Sequence, residues 1–281
     1  MSTADNAIDK DFLHQWQRAR LACYGSGPPS FNTGPKDVTV LAYFFRPEET
    51  AAEFFPYVKC ALFETWRHCG MMKTVIVSHA MTQPVAEFAN QFSGWVNVQI
   101  EPSLQSRPPG EIESMSADCN GKLHARFSTK YVLIVQDDGF PLRPGLNRYL
   151  GKADFIAGPR QFVRCVWWVA LARRIMRECP YNGGFSLRTH RICKLASRYW
   201  ESKWKYLHPS HDTIEDVFYT TTLPHDSLFY RLSVRANRVF LGYDFSIEGD
   251  YYPKSIGIPF GFHSAKAFCT VTKRHPELLK A

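Results

Sequence analysis

The sequence predicts an α/β protein built on a mixed, mostly parallel, Rossmann-type sheet flanked by helices, and two observations carry the prediction. Three apolar, β-branched runs, DVTVLAYFF from Asp37, KTVIVS from Lys73 and WVNVQIEP from Trp95, alternate with stretches of helical spacing. Consecutive strand–helix units argue for parallel strands joined by crossover helices. A fourth run, YVLIV from Tyr131, stops abruptly on Gln136, Asp137, Asp138 and Gly139. In open α/β sheets ligands bind just beyond the carboxyl ends of strands, so these carboxylates stand where a metal or phosphate ligand would be placed. An aspartate pair there can also do no more than shape a turn, with Gly139 supplying a permissive backbone.

The elements follow in order. Residues 1–36 read as a peripheral segment, a tether or cap on the core: a polar, helical start, DKDFLHQWQRARLACY, runs into the Gly, Pro and Ser-rich YGSGPPSFNTGPK. After the first strand, PEETAAEFFPYVKCALFETWRHCG has helical spacing and early acidic residues, with Pro56 expected to kink or interrupt it. QPVAEFANQF predicts a second helix, and SADCNGKLHARFSTK another after the loop SLQSRPPGEIES. QFVRCVWWVALARRIMRECP reads as a helix packed on the core, its arginines reaching outward.

Composition narrows the class. The 281 residues are 45% hydrophobic and 15% aromatic, enough to bury a large core and unlike a disordered chain. The formal charge of +8 suits a nucleic acid, an anionic lipid or a phosphorylated substrate, and does not choose among them. No stretch approaches the roughly 20 apolar residues that span a bilayer, and MSTADNAIDKDFLHQ lacks the pattern of a secretory signal, so a soluble, intracellular chain is expected. Eight cysteines without a CxxC pair read as free, structural thiols, and the even spacing of Cys165, Cys179 and Cys193 as coincidence.

Four further strings can carry chemistry. YNGGFSLRTH pairs Gly183 and Gly184, allowing positive φ and a close backbone approach to a ligand, with Asn182 and Arg188 as hydrogen-bonding groups and Ser186-Leu187-Arg188 opening a helix. Taken alone, the string is better explained by a tight turn that needs Gly for steric reasons, with Phe185 in the core. HPSHDTIEDVFYTTTL turns helical near Ile214, placing Glu215 and Asp216 in a first turn, as a general base or as capping acids favoured by the helix dipole. SIGIPFGFHSAK carries His263, a good divalent-metal ligand or simply a packed histidine, and FSIEGDYY adds Glu248 and Asp250.

Taken in order, LIVQDDG, NGGFSLR, EDVF, FSIE and FGFH resemble a family of poorly characterised, glycosyltransferase-like proteins found mainly in microbes, with the pattern QxDG, NGGFSLR, ED and GFH. The resemblance covers about residues 125–265, and NGGFSLR is its most specific part. That family is similar to GT-A glycosyltransferases. It implies one continuous domain over residues 37–281, with a nucleotide-binding half (37–140) and an acceptor-binding half (141–281). In GT-A enzymes a DxD motif at a strand end holds Mn²⁺ or Mg²⁺ against the diphosphate of a nucleotide sugar. Gln136 replaces the first Asp here, so the resemblance gives Asp138 as metal ligand and His263 as the late one. Gln136, Asp137, Asn182, Gly183, Gly184, Arg188 and Glu248 would border donor and acceptor. Asp216 comes first, then Glu215, as base of an inverting transfer.

The partners so implied are a nucleotide-diphosphate sugar, a UDP-sugar first among them, and a glycan or lipid-linked acceptor in polysaccharide biosynthesis. The expected place is the cytoplasm, with a peripheral contact at the inner face of the membrane left open and no nucleic acid expected. Two rivals stand beside this reading. One is a metal-dependent phosphoryl-transfer enzyme or nuclease using Asp137, Asp138, Glu215 and Asp216. The other is a basic protein binding RNA or a membrane surface through Trp167, Trp168, Arg173, Arg174 and Arg177.

Overall fold

The computed structural model describes residues 3–25, 30–104, 110–159, 181–204, 218–219, 223, 239–249, 252–253 and 256–280. Six strands, β1 (Val38–Phe44), β2 (Thr74–Ser78), β3 (Val96–Ile100), β4 (Tyr131–Val135), β5 (Phe155–Pro159) and β6 (Tyr181–Thr189), form one sheet in the order β3-β2-β1-β4-β6-β5. The first four are mutually parallel, as the strand–helix alternation predicts. β6 runs antiparallel to both β4 and β5, which makes the sheet mixed. β1, β2, β4 and β5 are buried along their whole length, which is why they read as unbroken apolar runs.

Alternate residues of each strand serve two cores. Val40, Ala42, Ile76, Leu133 and Val135 face α2 (Glu48–Cys69) and α3 (Gln83–Gln91), where Phe55, Leu62, Trp66, Phe88 and Phe92 pack. Leu41, Val75, Val77, Val132 and Ile134 face α4 (Gly110–Gly121) and α5 (His190–Tyr199) through Cys119, Ile192 and Ala196. Pro56 neither ends nor divides α2, contrary to expectation. The carbonyl it deprives of a partner is that of Ala52, an exposed residue that water can reach, while the buried Phe55, Tyr57 and Val58 hold that part of the helix.

A second correction falls on NGGFSLR. Ser186-Leu187-Arg188 belongs to β6, and the helix begins only at His190, capped by the Thr189 hydroxyl, which accepts from Ile192 N. Pairing on both edges outweighs the local helix-start signal: Phe185 and Leu187 enter the first core while Ser186 and Arg188 point to the opposite face. Neither Gly183 nor Gly184 has positive φ.

The amino-terminal helix α1 (Thr3–Cys23) lies on α2 and on α7 (Ala265–Arg274). Its Leu13 joins Phe140, Phe262 and Phe268 in a third core. Arg20 Nε donates to Glu64 Oε1 of α2 at 2.7 Å, and Tyr24 also donates to that carboxylate. Beyond α6 (Val239–Phe245), β7 (Ser246–Glu248) and β8 (Gly261–His263) form a small parallel pair that sets Glu248 beside His263 in register. The described cysteines, Cys23, Cys60, Cys69, Cys119, Cys193 and Cys269, are free; Cys165 and Cys179 lie outside the described residues, as does the expected helix over 161–180 with Trp167, Trp168, Arg173, Arg174 and Arg177. Among the described residues no helix is long and apolar enough to cross a membrane.

Candidate active site

From β1 the sheet extends to β2 and β3 on one side and to β4 on the other, so the carboxyl ends of β1 and β4 flank a topological switch point. A cavity of about 890 Å³ opens there. One wall is the end of β1, Tyr43 to Arg46, with Phe54 and Val58 of α2. Another is Gln136, Asp137 and Asp138 with Met115. Glu248, Gly249 and the residues Ser264 to Lys266 form a third, and Asp9, Lys10, Leu13 and His14 of α1 close the fourth.

The turn after β4 is short and tied at every point. Gln136 N donates to Gly139 O (2.9 Å) and Gly139 N to Gln136 O (3.1 Å), leaving Asp137 and Asp138 at the tip. Their carbonyls are taken as well: Gln17 Nε2 donates to Asp137 O at 2.5 Å, and Ser264 N to Asp138 O at 2.8 Å. Carboxylates on so constrained a backbone are preorganised, which a ligand-binding group needs. Gly139 does not have positive φ; a Cβ there would come within 3.0 Å of His263 Cδ2 and 3.2 Å of Phe185 Cβ. Gly139 therefore makes room for the other two motifs, and no special backbone requires it.

Gly184 does the same at closer range. A Cβ on it would overlap His263 Nε2 and come within 2.5 Å of Gln136 Oε1, and those two atoms lie 3.0 Å apart across the glycine. Gly261 makes room in turn for the Phe185 ring, whose Cζ would lie 2.7 Å from a Cβ there. The Gln136 turn, the glycine strand and the loop of His263 thus interlock at one point.

His263 Nε2 also lies 3.6 Å from Asp138 Oδ1. Its Nδ1 is buried with no hydrogen-bond partner among the described residues. Burial first, then the neighbouring Asp138 charge, pushes the Asp137 carboxyl up to about 6, against the pull of Lys10 and Arg46. Burial lowers His14, as do Lys10 and Arg18, while Asp11 and Asp138 oppose them.

Asp138 and His263 offer one carboxylate oxygen and one imidazole nitrogen, with the Gln136 amide oxygen adjacent. Among the described residues no group of three or more His, Cys, Asp or Glu is placed to hold a metal. A hard cation such as Mn²⁺ or Mg²⁺ commonly takes only one or two protein ligands and completes its shell with water and substrate phosphates, and this donor set fits that manner of binding.

Glu248 ends β7 at the cavity wall, and the backbone of Gly183 and Gly184 lies in β6. Arg188 is fully buried: its Nε donates to Ser186 Oγ (3.1 Å), its Nη2 donates to Gly183 O (3.3 Å), and it stacks over Phe155 and Tyr219. The Asn182 side chain, Glu215, Asp216 and Asp250 lie outside the described residues. Sequence reasoning missed Lys10, His14 and Gln17, because a polar helix ahead of the first strand reads as a cap. The available signal was that Lys10, Leu13, His14, Gln17 and Arg20 share one helical face.

Among solved structures, the chain is similar to mouse xyloside xylosyltransferase 1 in its apo form, with a TM-score of 0.50 and 14% identity over 82% of this chain and 98% of that one. It is also similar to a mannosyltransferase from Pyrobaculum calidifontis in complex with GDP-Man and Mn²⁺, with a TM-score of 0.34 and 10% identity over 67% of this chain; the chain spans 55% of that enzyme's length. The first likeness identifies the fold as GT-A-like. Curated proteins include no sequence match. The family model described as "Protein of unknown function (DUF5672)" matches residues 112–263, more than half of the chain, and that span holds all three interlocking motifs. The chain belongs to this DUF5672 family.

Proposed function

We propose that this protein is a glycosyltransferase that moves a sugar from a nucleotide-diphosphate sugar to a hydroxyl of a glycan or lipid-linked acceptor. The observation that carries the reading is the meeting of His263 with Gln136 and Asp138 at the sheet's switch point, where Gln136 and Asp138 line a cavity large enough for a nucleotide sugar and His263 stands behind them. Asp138 and His263 would hold Mn²⁺ or Mg²⁺, which when bound offsets the charge of the leaving diphosphate. Gln136 bears no charge and can hydrogen-bond a ribose or sugar hydroxyl. Glu248, which lines the same cavity, is proposed to orient the sugar.

In the transfer the acceptor oxygen bonds to the anomeric carbon, the bond from that carbon to the diphosphate oxygen breaks, and the acceptor proton passes to a carboxylate. Asp216 is the first choice for that base and Glu215 the second, both on the family resemblance, which also suggests inversion. A UDP-sugar is the first donor to try, and polysaccharide biosynthesis in the cytoplasm, at or near the membrane's inner face, is the setting proposed. Residues 37–140 are proposed as the nucleotide-binding half and 141–281 as the acceptor-binding half, with His263 and Glu248 reaching the donor from the second. A sugar-sized cavity favours this reading over phosphoryl transfer or a nuclease, whose two-metal sites need several carboxylates crowded together.

Ligands that bind only the folded state raise its apparent stability. Melting the protein with UDP, GDP, CDP, dTDP and CMP compounds, each with and without Mn²⁺, tests the proposal. A metal-dependent rise with one diphosphate supports it and names the nucleotide; no rise with any overturns it.

A further inference from the structure

We infer that α1, which precedes the first strand, is part of the ligand site: Lys10 and His14 contact the anionic diphosphate of a nucleoside-diphosphate ligand, and Gln17 fixes them relative to the carboxylate turn. This inference rests on the glycosyltransferase reading for the nature of its ligand.

Residues 10, 13, 14, 17 and 20 lie on one face of an α-helix, and their fates divide along it. At the inner end Arg20 is bonded to Glu64, and Gln17, with no exposed surface, donates its amide to the Asp137 carbonyl at 2.5 Å. Leu13 is fully buried against the third core. These contacts tie the helix to α2, the third core and the carboxylate turn, and its outer end forms part of the cavity wall. At that end Lys10 and His14 line the cavity, one turn apart. The His14 ring is held flat on Tyr57, 3.7 Å between centroids and 9° from parallel.

Both residues line the same cavity as the carboxylate turn, Gln136 to Asp138. Arg46 and Lys266 bring two more cations to the same cavity from other walls. A purely acidic cavity would suit a bare cation and a purely basic one a bare phosphate. The lining mixes Asp137 and Asp138 of the turn, with Asp9 and Glu248, and the cations Lys10, Arg46 and Lys266, a combination that suits a polyanion carried together with a divalent cation. The Gln17 bond makes helix and turn one unit, so groups on the two sides keep a fixed separation suited to a ligand that bridges them.

The test is calorimetric titration of the full chain with UDP, GDP and inorganic pyrophosphate, each with Mn²⁺. It compares wild type with Lys10→Gln, with the double variant Lys10→Gln/His14→Gln, and with Lys152→Gln as an off-site charge control. Lys10 is exposed, so its single variant leaves the fold intact and keeps the test sound if the double variant is unstable. Losing charge-assisted contacts to phosphate weakens binding on the order of ten-fold in Lys10→Gln, and more in the double variant, with no change in Lys152→Gln. Diphosphate binding equal to wild type in both α1 variants overturns the inference and leaves the glycosyltransferase reading standing. Pyrophosphate bound and lost on substitution, with no nucleotide bound, supports the α1 contacts and overturns that reading. No binding of any probe to wild type overturns both.

Discussion

The imidazole Nε2 of His263 lies 3.0 Å from the amide Oε1 of Gln136, across 127 residues of sequence, and the two meet directly over Gly184. A side chain on the middle member of this stack cannot be accommodated without moving one of the other two. Their separation in the chain means that only folding brings them together: β6 beside β4 sets Gly184 next to Gln136, and β8 of the small second sheet delivers His263.

Gly184→Ala therefore removes no functional group yet displaces both polar partners. Overpacking of this kind costs about 1–3 kcal/mol. The expected result is a lower melting temperature together with loss of any Mn²⁺-dependent stabilisation by a nucleoside diphosphate. Gly94→Ala, where a Cβ meets nothing within 4 Å but φ is +89°, gives the comparison of strain without steric conflict; it should lose stability and keep ligand response.

The proposed division of roles between Asp138 and Asp216 predicts different losses. Asp138→Ala should abolish metal-dependent donor binding, whereas Asp216→Asn should spare binding and lower turnover, because a base acts on the acceptor proton and not on the donor's phosphates. Binding measured by titration and turnover measured with a radiolabelled sugar separate the two. Equal loss of donor affinity in both variants would sink the assignment.

Strand placement was legible because β1, β2 and β4 are buried on both faces and so carry no polar alternation, as in Val38–Phe44 and Tyr131–Val135, while the half-exposed β3 alternates. The Asp137-Asp138 turn was legible for the same reason, since the apolar run ends sharply. β6 was misread: paired glycines followed by Ser-Leu-Arg look like a turn and a helix start, and the real reason for Gly184 is a neighbour 79 residues further on, His263, which local spacing does not encode. The role of α1 was hidden because Gln17 and Arg20 are polar residues buried by specific partners, Asp137 O and Glu64, and a hydropathy pattern reads buried polar groups as solvent-facing.

Acid should loosen the end of β3. Glu101 accepts from Lys122 Nζ (2.7 Å), Ser103 Oγ (2.6 Å) and Arg126 Nη2 (2.7 Å), and these bonds, Lys122 first, pull its carboxyl down to about 2 from an ordinary 4.5. A depressed folded value means that the stabilisation is complete above the unfolded value near 4.5 and is lost as pH falls from there through about 2. Urea melts of wild type and Glu101→Gln at pH 6, 4 and 3 should show a gap that narrows with each step. A gap constant across that range would mean the network contributes through packing and not through charge.

Ser264 offers a test of strain stored at the site. Its φ of +87° is a conformation that side chains rarely adopt, and it is held there by three bonds: its N donates to Asp138 O, its Oγ accepts from Ala267 N at 3.3 Å, and its carbonyl accepts from Phe268 N. Such a backbone costs on the order of 1–3 kcal/mol, and the structure around it has to supply that energy. Glycine adopts the same angles freely and loses only a few tenths of a kcal/mol as a helix cap, plus about 0.4–1 kcal/mol through the more flexible unfolded chain. Alanine keeps the strain and loses the cap, at about 1 kcal/mol. Chemical denaturation should accordingly rank Ser264→Gly at or above wild type and Ser264→Ala below it. The reverse order would place the cost in the lost hydroxyl, and the positive φ would then carry no strain for glycine to relieve.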